Sequence, residues 1–202
     1  MNKGNTIFGG LFLGVLFSLI PMTVVYAHDG SNVPFGGFLA GLVHPVLGYD
    51  HFLAMLSVGI LSAQIGGKAI WTVPATFVGV MAIGGALGLI GSGFQFVELG
   101  IALSLIILGI VIAAERRLAV GIAMIAVGVF ATFHGYAHGS EVPTTAQPVL
   151  YALGFLTGTA LIHILGVVIG DIARHYDYGK LVLRGGGAFV ACIGVLFAFG
   201  VL

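Results

Sequence analysis

The sequence predicts an all-α integral membrane protein, a six-helix transmembrane bundle that follows a cleavable signal peptide. Hydrophobic residues make up 59% of the 202 residues and charged residues only 7%, and the mean hydropathy is +1.16. A soluble fold of this length needs a charged surface, which seven acidic and seven basic residues cannot provide. The apolar segments are also about as long as the roughly 20 residues that a helix needs to cross a bilayer.

The first 27 residues are typical of a secretory signal peptide. Lys3 supplies a positive start, residues 7–25 form an apolar core, and Val-Tyr-Ala precedes the expected cut before His28. The apolar core is long for a signal peptide, so an uncleaved anchor helix is the alternative. We predict a signal peptide at 1–27 and a transport domain at 28–202.

The transport domain contains a series of apolar segments separated by short polar breaks. The first is too long for one straight span, because about 31 residues rise roughly 46 Å against a hydrocarbon core of about 30 Å. We expect it to break between His44-Pro45 and Gly48, since Pro45 lacks the amide that would bond back to Gly41. The six predicted spans are residues 34–64, 69–91, 94–114, 117–137, 147–170 and 182–202.

The basic residues predict how the chain is oriented. A cleaved signal leaves His28 outside the cytoplasm, and six spans return the C-terminus to the same side. The cytoplasmic loops then hold every basic residue of the mature chain, as the positive-inside rule requires. Those residues are Lys68, Arg116, Arg117, Arg174, Lys180 and Arg184.

The 34 glycines predict close packing of these helices. Small residues four apart let two helix backbones approach in a membrane, where no hydrophobic force drives association. Trp71 and Tyr151 lie near segment ends and are typical of interface anchors. The paired glycines are Gly37/Gly41, Gly84/Gly88, Gly154/Gly158 and Gly166/Gly170.

The stretch HPVLGYDH places His44, Asp50 and His51 inside the first apolar segment. On a continuous helix, the two histidines are seven residues apart and point in directions that differ by about 20°. Ionisable residues within a membrane segment nearly always face the bundle interior and mark ion or proton pathways. The stretch therefore predicts an inward-facing polar site.

A second stretch, FHGYAHGSE, contains His134, His138 and Glu141 at spacings i, i+4 and i+7. These positions share one helix face, although we expect Gly139 to end the helix. His163 stands alone in the fifth segment, where a hydrogen bond between helices explains it equally well. Imidazole suits borderline divalent metals such as nickel, cobalt, zinc and copper, so the histidines together predict a metal pathway.

Counting residues from the external ends arranges the candidates by depth. At 1.5 Å per residue, His51 and His163 lie at similar depths of roughly 24–26 Å. His28, Asp29, His138 and Glu141 are expected outside, and His134, His44 and Glu98 further in. Asp50, His51 and His163 are expected to be deepest. The predicted metal ligands are His44, Asp50, His51, His134, His138 and His163, with Glu141, Glu98 and His28 as secondary candidates.

Three stretches carry a resemblance to a known family. HPVLGYDHFLAMLSVG resembles the signature of the HupE/UreJ family of nickel/cobalt permeases, and FHGYAHGSEVP and LIHILG resemble its later histidine segments. The resemblance implies secondary-type uptake of Ni²⁺ or Co²⁺ across the bacterial inner membrane, and the orientation predicted above places both termini on its periplasmic side. It implies no enzyme activity and no resident cofactor. The implied partners are a divalent metal ion and the lipid bilayer, without nucleic acid, and a homo-oligomer is left open.

Two other classes of protein remain open from the residues themselves. In a membrane-embedded zinc hydrolase, three histidines would hold Zn²⁺ and Asp50 or Glu98 would act as base. In a b-type haem protein, two of His51, His134 and His163 would be axial ligands. Tightly held zinc or a visible absorption spectrum would distinguish these classes from a permease.

Overall fold

The computed structural model describes residues 36–91, 93–116, 118–142 and 147–202. Within these ranges the chain forms seven α-helices and no β-strand, which confirms the all-α class. The predicted signal peptide, His28 and Asp29 lie outside the described residues. The helices are α1 (Gly36–Leu47), α2 (Tyr49–Ile65), α3 (Ala69–Leu89), α4 (Val97–Ala113), α5 (Val120–Ser140), α6 (Pro148–Arg174) and α7 (Asp177–Ala198).

The helices correspond to the predicted apolar segments. Four of them, α3, α5, α6 and α7, are long and apolar enough to cross a membrane, and α1 with α2 makes a fifth span if the bent pair is counted as one. Helix α4 is apolar but has 17 residues, so it rises about 25 Å. The chain is thus a multi-pass membrane protein, and the count of six spans stays a prediction.

The first apolar segment is broken, as its length predicts, and the break lies at Gly48. Helices α1 and α2 meet there at 83°, and Gly48 is extended, with φ −87° and ψ 107°. Pro45 stays inside α1, where its missing amide leaves the Gly41 carbonyl without its helical partner. A Cβ on Gly48 would lie 3.2 Å from His51 Nδ1 and 3.3 Å from Asp50 Oδ1. The bend therefore directs the Asp50-His51 pair back toward the break.

Glycines bring the helices into backbone contact, as their spacing predicts. A Cβ on Gly41 of α1 would overlap the Tyr151 carbonyl of α6, and one on Gly84 of α3 would lie 2.6 Å from the Thr132 carbonyl of α5. Similar contacts hold α2 against α6 and α4 against α7. Because only glycine allows such approach, the interior is compact and its polar side chains lie close to one another.

Charged residues gather at one end of the bundle, where α2, α4 and α6 end and α7 begins. A cleft of about 320 Å³ opens there and is lined by Gln64, Glu115, Arg174, His175, Lys180 and Leu183. Arg174 pairs with Asp171, and Lys180 pairs with Asp177. Helix α6 ends here and begins at the opposite end of the bundle, a few residues after Glu141. The histidine-rich stretch FHGYAHGSE therefore ends at that opposite end.

Candidate metal centre

Three side chains form a group at the end of the bundle that holds Glu141. His44 lies in the last turn of α1 and His138 in the last turn of α5. His44 Nε2 lies 3.1 Å from His138 Nδ1, and Glu141 Oε2 lies 3.8 Å and 3.9 Å from those two nitrogens. These three atoms lie within 4.8 Å of one another, so the three side chains could hold one metal ion. We call this set the outer group.

The outer group depends on α5 continuing past Gly139, which corrects the expectation that this glycine ends the helix. Helix α5 runs to Ser140 and Glu141 is its C-cap. A Cβ on Gly139 would overlap the Gly85 carbonyl of α3, so this glycine serves helix packing instead of helix termination. The continuing helix keeps His138 and Glu141 at i and i+3 on one face.

The outer group spans the boundary between solvent and the buried interior. The side chains of Glu141, His44 and His138 are 58%, 31% and 5% exposed, so exposure falls from the carboxylate inward. The His44 imidazole lowers the pKa of the Glu141 carboxyl, against the opposing effect of partial burial. Glu141 is therefore ionised at neutral pH and can offset part of the charge of a dication.

A continuous contact of imidazole rings leads from the outer group into the interior. The ring centroids of His44 and His138 are 4.9 Å apart, those of His138 and His51 are 4.1 Å apart, and those of His51 and His134 are 4.9 Å apart. His134 is fully buried. Four histidines from α1, α2 and α5 thus form one series, which we call the histidine chain.

Hydrogen bonds place the Nδ1 proton on the buried histidines. His134 Nδ1 donates to the Phe130 carbonyl at 2.9 Å, and His163 Nδ1 donates to the Thr159 carbonyl at 2.7 Å. Each imidazole then keeps its lone pair on Nε2. The Nε2 atoms of His51, His134, His138 and His163 are buried without a hydrogen-bond partner. Unpaired buried nitrogens of this kind are costly, and neutral Nε2 is a ligand form that metals take.

Asp50 lies beside His51, as the sequence indicates, and contacts its ring. Asp50 Oδ1 accepts a hydrogen bond from His51 Nδ1 at 2.8 Å and another from the His51 backbone N–H at 2.8 Å. Carboxylates commonly hold metal-binding histidines in this way. The contact gives Asp50 a direct role in orienting His51.

The structure changes the depth order that residue counting predicts. His51 contacts His138 and His134 instead of lying with His163, and His44 belongs to the outer group. Counting fails here because the chain turns by 83° at Gly48, so residues after the bend do not continue the descent of α1.

The remaining predicted residues stand apart from the histidine chain. His163 contacts Phe77, at 5.0 Å between ring centroids. Glu98 is exposed in the first turn of α4, and no contact joins it to the histidines among the residues that the structure describes. His28 lies outside those residues, so its assignment stays a prediction.

Three aromatic residues lie near the histidines, and the sequence analysis assigned none of them to the site. Phe155 lies 4.3 Å from His138 and Phe77 lies 5.5 Å from His134, both between ring centroids. Tyr151 is 3% exposed and faces His44, which corrects its assignment as an interface anchor. It is buried because Gly41 lets α1 lie directly against the Tyr151 backbone. Trp71 is 71% exposed, as an anchor should be.

The fold and this centre define a multi-pass helical membrane protein with a histidine-lined interior. A family profile described as HupE / UreJ protein matches residues 15–197. Protein HupE of Rhizobium leguminosarum bv. viciae is 41% identical over 185 residues, which cover 92% of this chain and 95% of that protein. The chain belongs to the HupE/UreJ family. No solved structure matches it.

Membership of this family bears on the open alternatives. The family is associated with nickel and cobalt transport, and its proteins are transporters or accessory proteins that are not known as enzymes. A zinc hydrolase is therefore not favoured. A haem would need a gap between its axial histidines, whereas the rings of His51 and His134 touch and Phe77 fills the space beside His163.

Proposed function

We propose that the protein is a secondary-type permease that takes up Ni²⁺ or Co²⁺ across the bacterial inner membrane. The proposal includes six spans, with both termini on the periplasmic side. The observation that carries it is the histidine chain, which begins at His44 beside the exposed Glu141 carboxylate and ends at the fully buried His134 imidazole. Its buried Nε2 atoms lack hydrogen-bond partners, as expected of nitrogens that bind a cation.

Capture takes place at the outer group. Glu141 attracts the hydrated dication, and the nitrogens of His44 and His138 replace part of its water. A carboxylate is needed here because two neutral imidazoles leave the full charge of the ion uncompensated during desolvation. The exposure of Glu141 lets the metal keep some of its water until the imidazoles bind it.

The two ring nitrogens of His138 provide a route for transfer of the metal ion from the outer group toward the interior. Its Nδ1 faces His44 and Glu141, whereas its Nε2 is buried and unpartnered and its ring contacts that of His51. A neutral imidazole has one lone pair, so the His138 proton must pass from Nε2 to Nδ1 as the metal moves from the outer to the inner nitrogen. With that proton shift, the metal can exchange ligands one at a time, from the outer group to His51 and then to His134. Asp50 holds the His51 ring for this exchange. A chain that is mostly imidazole favours Ni²⁺ and Co²⁺ over Mg²⁺ and Ca²⁺, which prefer oxygen ligands.

Uptake of radiolabelled nickel and cobalt by cells tests this function. We expect His51→Ala to abolish uptake at a membrane level equal to that of the wild type. His175→Ala is the matched control, because His175 is an exposed histidine that bonds to the Asp171 carbonyl at the opposite end of the bundle. Normal uptake by well-expressed His51→Ala would refute the permease.

A further inference from the structure

We propose that Phe77 is the barrier residue of the permeation pathway: its ring separates His134 from His163 and must move before a metal ion can pass. This inference rests on the proposed transport function and adds a residue to it. Phe77 is a fully buried side chain of α3, and its sequence context contains no motif that marks it.

The ring contacts show where the pathway is interrupted. From His44 to His134, each histidine of the chain touches the next. The next ring after His134 is that of Phe77, at 5.5 Å, and the next after Phe77 is His163, at 5.0 Å. The Phe77 ring thus contacts two imidazoles whose Nε2 atoms are both unpartnered, and within the described ranges no ring contact joins these two imidazoles directly.

Chemistry makes this position a barrier. A phenyl ring offers no lone pair, so a metal ion that leaves His134 finds no ligand until it reaches His163. A dication without ligands in a buried apolar space carries a large desolvation penalty. In this conformation, the metal therefore stops at His134.

The position of the barrier along the helices is suited to this role. His134 lies six residues before the end of α5 and His163 lies 15 residues after the start of α6, which is about 9 Å and about 22 Å along the respective helices. Phe77 thus separates the part of the pathway near the outer group from a histidine in the middle of the bundle. The pathway is therefore open at the exposed outer group and closed at Phe77.

Helix α3 has a weakened backbone one turn before Phe77. Pro74 lies inside the helix and removes the hydrogen bond to the Ile70 carbonyl. Thr76 Oγ1 donates to the Thr72 carbonyl at 2.7 Å, a contact that often bends helices. These features allow α3 to flex locally, which would swing the Phe77 ring away from the two histidines.

The test uses the full-length protein in proteoliposomes that contain a Co²⁺-sensitive dye. We expect Phe77→Ala to raise downhill Co²⁺ flux and Phe77→Trp to lower it, each by about tenfold, the change produced by roughly 1.4 kcal/mol of barrier height. Affinity for Co²⁺, measured from its d–d absorption in detergent, should stay within about twofold in both variants, because the barrier acts on the rate and not on the bound state. Phe77→Leu provides a conservative variant if the alanine protein does not fold.

Phe155→Leu is the matched control. Phe155 is also a buried phenylalanine that touches two histidines, His44 and His138. Because those two histidines already touch each other, Phe155 does not block the transfer of metal between them. We expect flux within about twofold of the wild type for this variant. If the Phe77 variants carry Co²⁺ at the wild-type rate, as expected of Phe155→Leu, or if flux and affinity change in parallel, Phe77 is a packing residue and the proposal is wrong. A wild type without flux would instead refute the proposed function itself.

Discussion

Asp50 Oδ1 accepts two hydrogen bonds from His51, one from the ring Nδ1–H and one from the backbone N–H, each at 2.8 Å. One carboxylate oxygen thereby sets both the rotation of the imidazole and the nitrogen that carries its proton. His51 is left with a buried, unpartnered Nε2 in contact with the rings of His138 and His134. The pair explains why an acid lies directly beside a histidine within an apolar segment.

Replacing Asp50 should weaken metal binding without removing a ligand. We expect Asp50→Asn to lower Co²⁺ affinity by about 10–100-fold, the usual effect of losing a carboxylate that orients a ligating histidine. The d–d absorption spectrum at saturating Co²⁺ should match that of the wild type. His51→Ala should change that spectrum, because it removes a nitrogen. A spectrum for Asp50→Asn that resembles the one for His51→Ala would mean that Asp50 itself coordinates the metal.

Replacing Glu141 should affect capture more than passage. Glu141→Gln removes the negative charge of the outer group but leaves the histidine chain intact, so we expect KM for uptake to rise by about tenfold with the maximal rate retained. Glu115→Gln is the control, since Glu115 lies in the cleft at the opposite end. Uptake kinetics over a range of Ni²⁺ concentrations measures both constants. A fall in the maximal rate at unchanged KM would contradict a role in capture.

Metal binding should weaken as the medium is acidified. Protons compete with metal for neutral imidazoles, so Co²⁺ affinity should fall as the pH is lowered below neutrality. The lowered pKa of Glu141 keeps its carboxylate charged in mildly acidic medium, since a group with a depressed pKa loses its charge only when the pH falls through that lower value. Glu141→Gln should therefore shift affinity at every pH and leave the pH dependence unchanged. A flat pH profile in the wild type would argue against imidazole ligands.

Filling a packed glycine should destabilise the bundle. A Cβ on Gly135 would overlap the Met81 carbonyl of α3, and forcing extra atoms into a packed interface costs about 1–3 kcal/mol. We expect Gly135→Ala to lower the melting temperature in detergent. Gly79→Ala is the control, because nothing lies within 4 Å of a Cβ at that position. Equal melting temperatures for the two variants would contradict the observed packing of α3 against α5.

A large part of the fold follows from local sequence properties. Apolar segment length predicts the membrane helices, glycine spacing predicts their close contacts, and the excess length of the first segment predicts its break near Pro45 and Gly48. Each histidine can also be recognised as a functional candidate from the sequence, because placing an imidazole in an apolar membrane segment costs free energy wherever the helix lies. These features depend on residues within one helix, which the linear chain records directly.

Relationships between helices were decided by the tertiary structure. The bend at Gly48 places His51 against His138 and His134, which no count along a straight helix predicts. Helix α5 passes through Gly139 because α3 lies against it there, and the same packing creates the i, i+3 pair of His138 and Glu141. Phe77 is apolar and has no local signal, so only its position between His134 and His163 suggests a function. The physical reason is that contact between two helices depends on their relative rotation and depth, and sequence separation specifies neither.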